Sequence, residues 1–300
     1  MKNGAYIWGA AKYGERAIKY CAEKFNIIGF IDRRADENFT SFIGYPVISP
    51  ETFFDKGGDE DIILAVTYPV EIVEELRKRN IKNRISIFDG RNPDRPFIYE
   101  IENFEICIPE YMNKRFAELD EYSLHYSELS EYQIELYKNI LDMIKKFPCN
   151  TDICEIGCGS GQIANMLFDH GYRNYTGIDF SSEAIRKAQN INRAFKDKFI
   201  CTDAFSYIGT KTFNAPTLFL CFEVLEHIGK DCELLEMLPS GANIIFSVPS
   251  FKSFNHLRTF NTISDIENRY SMLEIREYRQ LPASKYKEEY YNLALAARKE

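Results

Sequence analysis

Strand and helix patterns alternate along two separate stretches of this chain. In each stretch, short apolar runs are separated by segments whose apolar side chains recur at helical spacing. Parallel strands need a crossover between them, and a helix is the usual crossover, so this alternation is typical of a parallel sheet covered by helices. The first stretch runs from "AYIWGA" to "RISIFDG" and the second from "TDICEIG" to "YYNLALAARK". The sequence therefore predicts an α/β fold with two Rossmann-like domains.

The boundary between the two stretches is marked by a polar segment bracketed by prolines, "NPDRP" at residues 92–96. A chain of 300 residues is also longer than a usual single domain. We expect a small Rossmann-like domain over residues 1–95, a linker over 96–118 and a second domain over 119–300. Within 114–147, apolar and aromatic residues at helical spacing predict one or two helices that stop at Pro148.

Composition excludes several classes of protein. The net charge is −8, and an acidic surface repels phosphate backbones, so nucleic acid is an unlikely partner. No apolar run is long enough to cross a membrane and no secretory leader is visible, so we expect a cytoplasmic protein without membrane contact. The eight cysteines are scattered without a CxxC pair, which favours reduced thiols over disulfides or a zinc ribbon.

A glycine-rich turn, "EIGCGSG" at residues 155–161, lies between a strand pattern and a helix pattern. Glycine permits positive φ and lets backbone N–H groups approach a ligand closely. Two acids follow the next two strands, Asp179 in "GIDFSS" and Asp203 in "ICTDAF". The carboxyl ends of adjacent parallel strands converge on one crevice, so an acid for a ribose and an acid for an adenine fit there. The three strand ends predict an adenosine pocket.

Four motifs in this order and spacing, "EIGCGSG", "GIDFSSEAI", "CTDAF" and "FEVLEHI", resemble the class I S-adenosylmethionine-dependent methyltransferases over roughly residues 120–300. The resemblance implies a seven-stranded sheet in the second domain, S-adenosylmethionine as cofactor and methyl transfer as activity. It also implies the cofactor-binding positions: Glu155, Gly157, Gly159 and Gly161 along the methionine portion, Asp179 on the ribose hydroxyls, Phe180 beside the adenine, Asp203 at its amino group, and Ala204 and Cys221 as further contacts.

The stretch "CFEVLEHI" at residues 221–228 places two carboxylates and an imidazole just past an apolar strand pattern. A helical turn here would bring Glu223, Glu226 and His227 onto one face, at i, i+3 and i+4. His256 follows the next strand, in "NHLRTF". The position is where a methyl donor and its acceptor would meet, which makes Glu223 and His227 candidate catalytic residues.

Three interpretations of this group stay open. Glu223, Glu226, His227 and His256 together offer oxygen and imidazole ligands for a divalent metal such as Mg²⁺ or Mn²⁺, which would lower the pKa of a hydroxyl acceptor. Such a set resembles the metal-assisted methyltransferases of ubiquinone type and the small-RNA 3′-end methyltransferases. Alternatively, His227 alone is a general base. In the third interpretation Glu223 touches the cofactor, Glu226 is solvated and His227 is a packing residue.

The first domain, with "IWGAAKYGERAIKYC", "IIGFID" and "GYPVISPETF", resembles the small Rossmann-like domain of bacterial sugar N-acetyltransferases and of several sugar methyltransferases. The resemblance implies that Gly9, Gly14 and Asp32 contact a nucleotide-linked sugar. Alanine at position 11 replaces the second glycine of a dinucleotide fingerprint, which argues against tightly bound NAD. The alternative is a module that only packs or dimerises, with the glycines serving the turn and Asp32 capping.

Taken together, the motifs favour O-methylation of a small molecule such as a sugar, a nucleotide sugar or a glycan precursor, within polysaccharide biosynthesis and with metal assistance. Methylation of an RNA 3′-terminal 2′-hydroxyl is the second hypothesis, favoured by the Glu-Glu-His pattern with its later histidine. A non-catalytic protein that binds S-adenosylmethionine is the third.

Overall fold

The computed structural model of this protein describes residues 3–213, 216–285 and 288–300. The chain divides into two compact units. The first runs through Ile106 and also includes Ser253–Asn255, and the second comprises Cys107–Lys252 and His256–Glu300. Each unit contains a seven-stranded mixed sheet, which confirms the predicted α/β class.

The sheet of the first unit has a parallel centre with an antiparallel strand at each edge. Its strand order is β3-β4-β2-β1-β5-β6-β7, in which only the β3–β4 and β6–β7 pairs are antiparallel. The strands are β1 (Gly4–Trp8), β2 (Asn26–Ile31), β3 (Ser41–Phe42), β4 (Tyr45–Ile48), β5 (Asp61–Leu64), β6 (Ile85–Asp89) and β7 (Phe97–Ile101). The helices are α1 (Lys12–Cys21), α2 (Pro50–Lys56) and α3 (Val70–Lys78).

Local sequence explains where the helices of the first unit begin and end. The side chain of Ser49 accepts a hydrogen bond from the backbone N–H of Thr52, and Pro50 occupies the first turn of α2. Gly57 ends that helix in the left-handed conformation, with φ of +60°. Ala17, Ile18 and Cys21 of α1 are buried together against the sheet.

Residues 96–118, which the sequence favours as a linker, contain regular structure. Strand β7 pairs with β6 in antiparallel register, from Ile85 opposite Ile101 to Asp89 opposite Phe97. Tyr99 and Ile101 on this strand are buried, whereas Glu100 is exposed, as expected for an edge strand with one face on the core. Helix α4 (Pro109–Glu118) then follows in the second unit.

The sheet of the second unit has the order β10-β9-β8-β11-β12-β14-β13. Its first five strands are parallel, and β14 is antiparallel to both β12 and β13. The strands are β8 (Asp152–Ile156), β9 (Tyr175–Asp179), β10 (Phe199–Cys201), β11 (Thr217–Phe222), β12 (Asn243–Pro249), β13 (Leu273–Pro282) and β14 (Tyr290–Arg298). The helices after α4 are α5 (Glu131–Ile144), α6 (Gln162–Asp169), α7 (Ser182–Ile191), α8 (Ala204–Thr210), α9 (Asp231–Glu236) and α10 (Ile263–Arg269).

Successive side chains of the central strands enter two separate hydrophobic clusters. Ile153 and Leu220 belong to the cluster on one face of the sheet, whereas Cys154 and Phe219 belong to the other. This alternation follows from the two-residue period of a strand, and helices on both faces explain why these strands read as continuous apolar runs. Among the described residues, no helix is both long and apolar enough to cross a lipid bilayer.

Candidate active site

The glycine-rich turn lies at the carboxyl end of β8, between that strand and α6. Gly157, Gly159 and Gly161 have φ of +70°, +52° and +74°, a region that side chains disfavour. A Cβ on Gly157 would also lie 2.3 Å from Cγ2 of Val224. The backbone N–H groups of Gly157 and Cys158 both donate to the carbonyl of Ile178, at 2.9 Å, which ties the turn to β9.

Asp179, at the end of β9, is joined directly to this turn. Its Oδ2 accepts a hydrogen bond of 3.0 Å from the backbone N–H of Gly159, and its Oδ1 accepts one of 2.8 Å from Ser181. The side chain is buried, and burial raises the pKa of Asp179 to about 6, because the charged form is poorly solvated. The structure therefore brings together two of the predicted cofactor-binding positions.

Glu155, at the head of the turn, is buried in the interior of the unit. Its carboxylate accepts a hydrogen bond from the hydroxyl of Tyr175. Burial raises the pKa of Glu155 to about 8, and the hydrogen bond from Tyr175 opposes that rise. Glu155 thus has a structural partner that the sequence motif does not indicate.

The remaining predicted cofactor positions lie at neighbouring strand ends, with different exposures. Asp203 is exposed and caps α8, where its Oδ1 accepts a hydrogen bond of 2.9 Å from Ser206. Phe180 and Ala204 are partly exposed. Cys221 on β11 is fully buried, and its side chain packs in the hydrophobic cluster that also contains Phe219.

Helix α4 lies against the glycine-rich turn, a contact that no sequence motif indicates. A carbon of the Phe116 ring lies 3.5 Å from the position that a Cβ on Gly159 would occupy. Oδ1 of Asn113, on the same helix, accepts hydrogen bonds from the Ser181 hydroxyl at 2.8 Å and the Glu183 backbone at 3.0 Å. Asn113 therefore fixes α4 to the start of α7, beside Asp179.

The predicted helical face of Glu223, Glu226 and His227 is wrong. Glu223 has φ of +53°, and only Leu225–His227 form a single 3₁₀ turn. Ser247 on β12 holds Glu223 in this position: its hydroxyl donates to Oε1 of Glu223 at 2.8 Å and accepts from the Glu223 backbone at 3.2 Å. Glu223 is half-buried, and burial raises its pKa to about 7.

Three of the four predicted metal ligands converge. One ligand atom from each of Glu226, His227 and His256 lies within 4.8 Å of the other two. Glu223 does not belong to this group, and its Oε1 accepts a hydrogen bond from Ser247 instead. We call Glu226, His227 and His256 the Glu–His group below.

Glu226 is the unusual member of the Glu–His group. It is 0% exposed, and within the described part of the chain neither carboxylate oxygen has a hydrogen-bond partner. Its Oε1 lies 3.6 Å from Nε2 of His227. Burial and the nearby charge of Glu223 raise the pKa of Glu226 well above its ordinary value. Each buried polar group without a hydrogen-bond partner destabilises the folded protein by about 1–3 kcal/mol, and more if it is charged. A bound cation would offset that cost.

His256 approaches the group from the segment after β12. Its Nδ1 lies 2.9 Å from the carbonyl of Phe251, and the protonated nitrogen of a neutral imidazole donates such a bond. Nε2 of that tautomer keeps its lone pair. Burial lowers the pKa of His256, which favours the neutral, ligating form.

The predicted ligand residues of the first unit have structural partners. A Cβ on Gly14 would lie 2.0 Å from the carbonyl oxygen of Gly9, so glycine allows α1 to pack against the turn. Gly9 itself has φ of +115°. The Asp32 carboxylate accepts hydrogen bonds from the Ala10 backbone at 2.8 Å and from Arg34 at 2.8 and 2.9 Å. A nucleotide-sugar role for these residues stays a prediction.

A family model described as "Methyltransferase domain" matches residues 128–283, just over half of the chain. The chain belongs to the methyltransferase-domain family. This assignment confirms the resemblance to class I S-adenosylmethionine-dependent methyltransferases that the motifs indicated. The match begins at residue 128, so the resemblance of the first unit to sugar enzymes stays a prediction.

Solved structures that are similar to this methyltransferase are distant from it in sequence. The N-methyltransferase NodS from Bradyrhizobium japonicum WM9, in complex with S-adenosyl-L-homocysteine, is 18% identical with a TM-score of 0.50, covering 64% of this chain and 98% of that one. Magnesium protoporphyrin IX methyltransferase from Synechocystis PCC 6803, with bound S-adenosylmethionine, is 16% identical with a TM-score of 0.48, covering 63% and 94%. No curated protein matches the chain by sequence.

Proposed function

We propose that this methyltransferase transfers the methyl group of S-adenosylmethionine to a hydroxyl of a small molecule such as a sugar, a nucleotide sugar or a glycan precursor. The hydrogen bond between Gly159 and Asp179 carries the cofactor part of the proposal. It brings the backbone of a positive-φ turn and a buried carboxylate to one edge of the sheet. That combination suits a nucleoside with a charged tail.

The residues at this edge fit S-adenosylmethionine by their chemistry. Asp179 would accept hydrogen bonds from the ribose hydroxyls, since each of its oxygens has a lone pair beyond the one that a backbone N–H uses. Gly157 and Gly159 would allow the methionine portion to approach the backbone, because neither residue carries a side chain. Phe180, Asp203 and Ala204 would line the adenine side, as proposed from the motifs.

Bound S-adenosylmethionine supplies an electrophilic methyl group on a positively charged sulfur, so transfer mainly requires alignment and removal of the acceptor's proton. In the proposed reaction the sulfur–methyl bond breaks, an oxygen–methyl bond forms, and the hydroxyl proton passes to a base. We propose Glu223 as that base, since it is a half-buried carboxylate just past β11 and outside the Glu–His group. His227 is the alternative base if it ligates no metal.

We further propose that a divalent metal ion binds the Glu–His group and assists the reaction. The fit rests on Glu226, whose buried carboxylate lacks a hydrogen-bond partner among the described residues. Glu226, His227 and His256 would hold the ion, and a bound ion would lower the pKa of a hydroxyl acceptor.

A terminal ribose of RNA is the second candidate acceptor. The Glu–His group favours it, because the small-RNA 3′-end methyltransferases that the sequence resembles complete such a pattern with a later histidine. The net charge of −8 opposes it. The two candidates present the same chemistry, a hydroxyl on a sugar, and they differ in the charge of the remaining molecule.

Calorimetric titration with S-adenosylhomocysteine tests the cofactor part. We expect the wild-type protein to bind, and Asp179→Asn to bind about 10- to 100-fold more weakly, because a hydrogen bond to a charged acceptor is worth about 1.5–3 kcal/mol. Ser240→Ala, an exposed serine distant in sequence from these motifs, serves as the control. Absence of binding by the wild-type protein would reject the proposal.

Transfer of a labelled methyl group from S-adenosylmethionine tests the acceptor class. The panel should contain free sugars, nucleotide sugars, short RNA and the same RNA with a 3′-terminal 2′-deoxyribose. Label on the sugars supports the first candidate. Label that requires the terminal 2′-hydroxyl of the RNA supports the second and overturns the first.

A further inference from the structure

Arg258 lies in the second unit, two residues after His256, and its side chain is 16% exposed. Its Nη1 donates to the carbonyl oxygens of Leu225 and Ile228, both at 2.7 Å. The same nitrogen lies 3.0 Å from Oδ2 of Asp231. The sequence favours pairing of this arginine with surface acids over an anionic substrate, whereas in the structure it contacts two backbone carbonyls and a buried carboxylate.

The two carbonyls that Arg258 contacts lie on either side of Glu226 and His227. Residues Leu225–His227 form a single 3₁₀ turn, and the terminal carbonyls of so short a turn have few partners of their own. A cationic side chain bonded to them stabilises the turn. Arg258 therefore holds the ends of the segment that presents two members of the Glu–His group.

The neighbouring backbone adds a further bond. The N–H of Leu257 donates to the carbonyl oxygen of Glu226 at 2.8 Å. Residues 256–258 are thereby bonded to residues 225–228 through Leu257 and Arg258, and His256 stands at the start of the same segment. The centroids of the His227 and His256 rings consequently lie 4.9 Å apart.

Asp231 gives Arg258 a fixed anchor. It is fully buried, and Arg269 donates to its two oxygens at 2.7 and 2.6 Å. The hydroxyl of Tyr270 donates to Oδ2 at 2.9 Å. Since Asp231 retains these partners when Arg258 is replaced, loss of Arg258 should leave no unpaired buried charge, and the protein should still fold.

We infer that Arg258 is a positioning residue that holds the Glu226–His227 turn against His256, so that one carboxylate and two imidazoles form a single metal-binding group. The inference rests on the metal part of the proposed function. One carboxylate and two imidazoles suit borderline ions such as Co²⁺ or Zn²⁺, whereas Mg²⁺, Ca²⁺ and, to a lesser degree, Mn²⁺ prefer oxygen ligands. We therefore expect the Glu–His group to bind a borderline ion in preference to Mg²⁺.

Titration of the full-length protein with Co²⁺ tests the inference, because the visible absorption of Co²⁺ reports both its affinity and its ligand geometry. We expect Arg258→Met to bind Co²⁺ about 10- to 100-fold more weakly than the wild type, the usual cost of losing a residue that orients metal ligands. Arg258→Lys should recover part of the affinity, since it keeps the charge but has a single nitrogen. Arg276→Met, at an exposed arginine, is the matched control.

Three further measurements separate the outcomes. Affinity for S-adenosylhomocysteine should stay within about twofold of wild type in Arg258→Met, and a purely structural role would lower only the melting temperature. Unchanged Co²⁺ affinity and spectrum in both Arg258 variants would overturn the inference. Equal Co²⁺ binding by wild type and His256→Ala would instead reject the metal site itself, and would leave the methyl-donor site supported by its own titration.

Discussion

The imidazole rings of His227 and His256 lie 4.9 Å apart between centroids, with their planes inclined by 65°. Burial lowers the pKa of His256, so this ring is favoured in its neutral form. A neutral imidazole has a nitrogen lone pair, and Glu226 supplies a buried carboxylate oxygen beside both rings. His227 and His256 come from two separate segments of the chain. Variants of these residues therefore distinguish a metal site from a packing cluster.

Removal of one imidazole should selectively abolish metal binding. We expect His256→Ala to weaken Mn²⁺ or Co²⁺ binding by about 100-fold or more, because a three-ligand site that loses one ligand retains few bonds to the ion. Glu223→Gln is the comparison: it removes no ligand of the group but does remove a charge that acts on Glu226, so the metal affinity should change far less than in His256→Ala. Direct metal titration measures both. A larger loss of affinity in Glu223→Gln than in His256→Ala would contradict the proposed ligand set.

A methyl group on Gly157 should damage the glycine-rich turn for two separable reasons. The backbone at position 157 has φ of +70°, a conformation that costs any residue other than glycine about 1 kcal/mol or more. The new Cβ would also lie 2.3 Å from Cγ2 of Val224. We expect Gly157→Ala to lower both the melting temperature and the affinity for S-adenosylhomocysteine. Addition of Val224→Ala should restore part of the loss, since it removes the collision but not the backbone strain. If the double variant has the same melting temperature and affinity as Gly157→Ala, the backbone strain alone causes the loss and the collision with Val224 does not contribute.

Much of the fold follows from local patterns in the sequence. The central parallel strands of both sheets are buried on both faces and therefore appear as apolar runs between helix patterns. The sequence does not indicate strand β7 (Phe97–Ile101), because this segment follows two prolines and becomes a strand by pairing with β6. The sequence also does not predict the antiparallel pair of β3 and β4, because strands this short are too brief to show a two-residue period. Edge strands depend on their partners more than on their own residues.

Some contacts of the candidate site can also be predicted from the sequence, and others cannot. Gly159 and Asp179 meet because both lie at carboxyl ends of neighbouring parallel strands, a relationship that topology imposes and a sequence can predict. The backbone at Glu223 could not be predicted, because the residue that holds it, Ser247, is 24 residues away. The partners of Arg258 were likewise hidden, since backbone carbonyls carry no signature in a sequence.

Gly14 in the first unit offers a test of a purely structural glycine. A Cβ there would lie 2.0 Å from the carbonyl oxygen of Gly9 and 3.0 Å from the ring of Phe30, so α1 would have to move away from the sheet. We expect Gly14→Ala to destabilise the protein by about 1–3 kcal/mol, as overpacking does. The affinity for S-adenosylhomocysteine should not change. Gly229→Ala is the control, since a Cβ there meets no neighbour within 4 Å. Denaturant unfolding of both variants provides the comparison, and equal stabilities would contradict the packing argument.

Glu155 should make the protein less stable as the pH rises. Burial raises its pKa from an ordinary value of 4.5 to about 8, so the folded state binds a proton more tightly than the unfolded state does. The stability that this proton contributes is present below pH 4.5 and is lost as the pH rises toward 8. Glu155→Gln has no proton to lose, so its free energy of unfolding should not fall in this way. The difference in unfolding free energy between the variant and the wild type should therefore shift in favour of the variant across this interval, by up to about 5 kcal/mol.

Tyr175→Phe provides the matched comparison for Glu155. The hydrogen bond from Tyr175 favours the ionised carboxylate, so its removal should raise the pKa of Glu155 further and extend the loss of stability to higher pH. Urea unfolding at several pH values between about 4.5 and 9 measures all three proteins. If the profiles of wild type and Glu155→Gln run parallel across this interval, Glu155 is not the titrating group.

Cofactor binding should depend on pH through Asp179. Burial raises the pKa of this carboxyl to about 6, and only the ionised form offers both oxygens as acceptors to the ribose hydroxyls. The affinity for S-adenosylhomocysteine should therefore be constant above pH 7 and fall as the pH drops through 6, approaching a tenfold loss per pH unit. Asp179→Asn should bind more weakly at pH 7 and show no such fall, because an amide does not titrate in this range. Calorimetry at pH 5, 6, 7 and 8 decides the matter, since an unchanged pH dependence in the variant would assign the titration to another group.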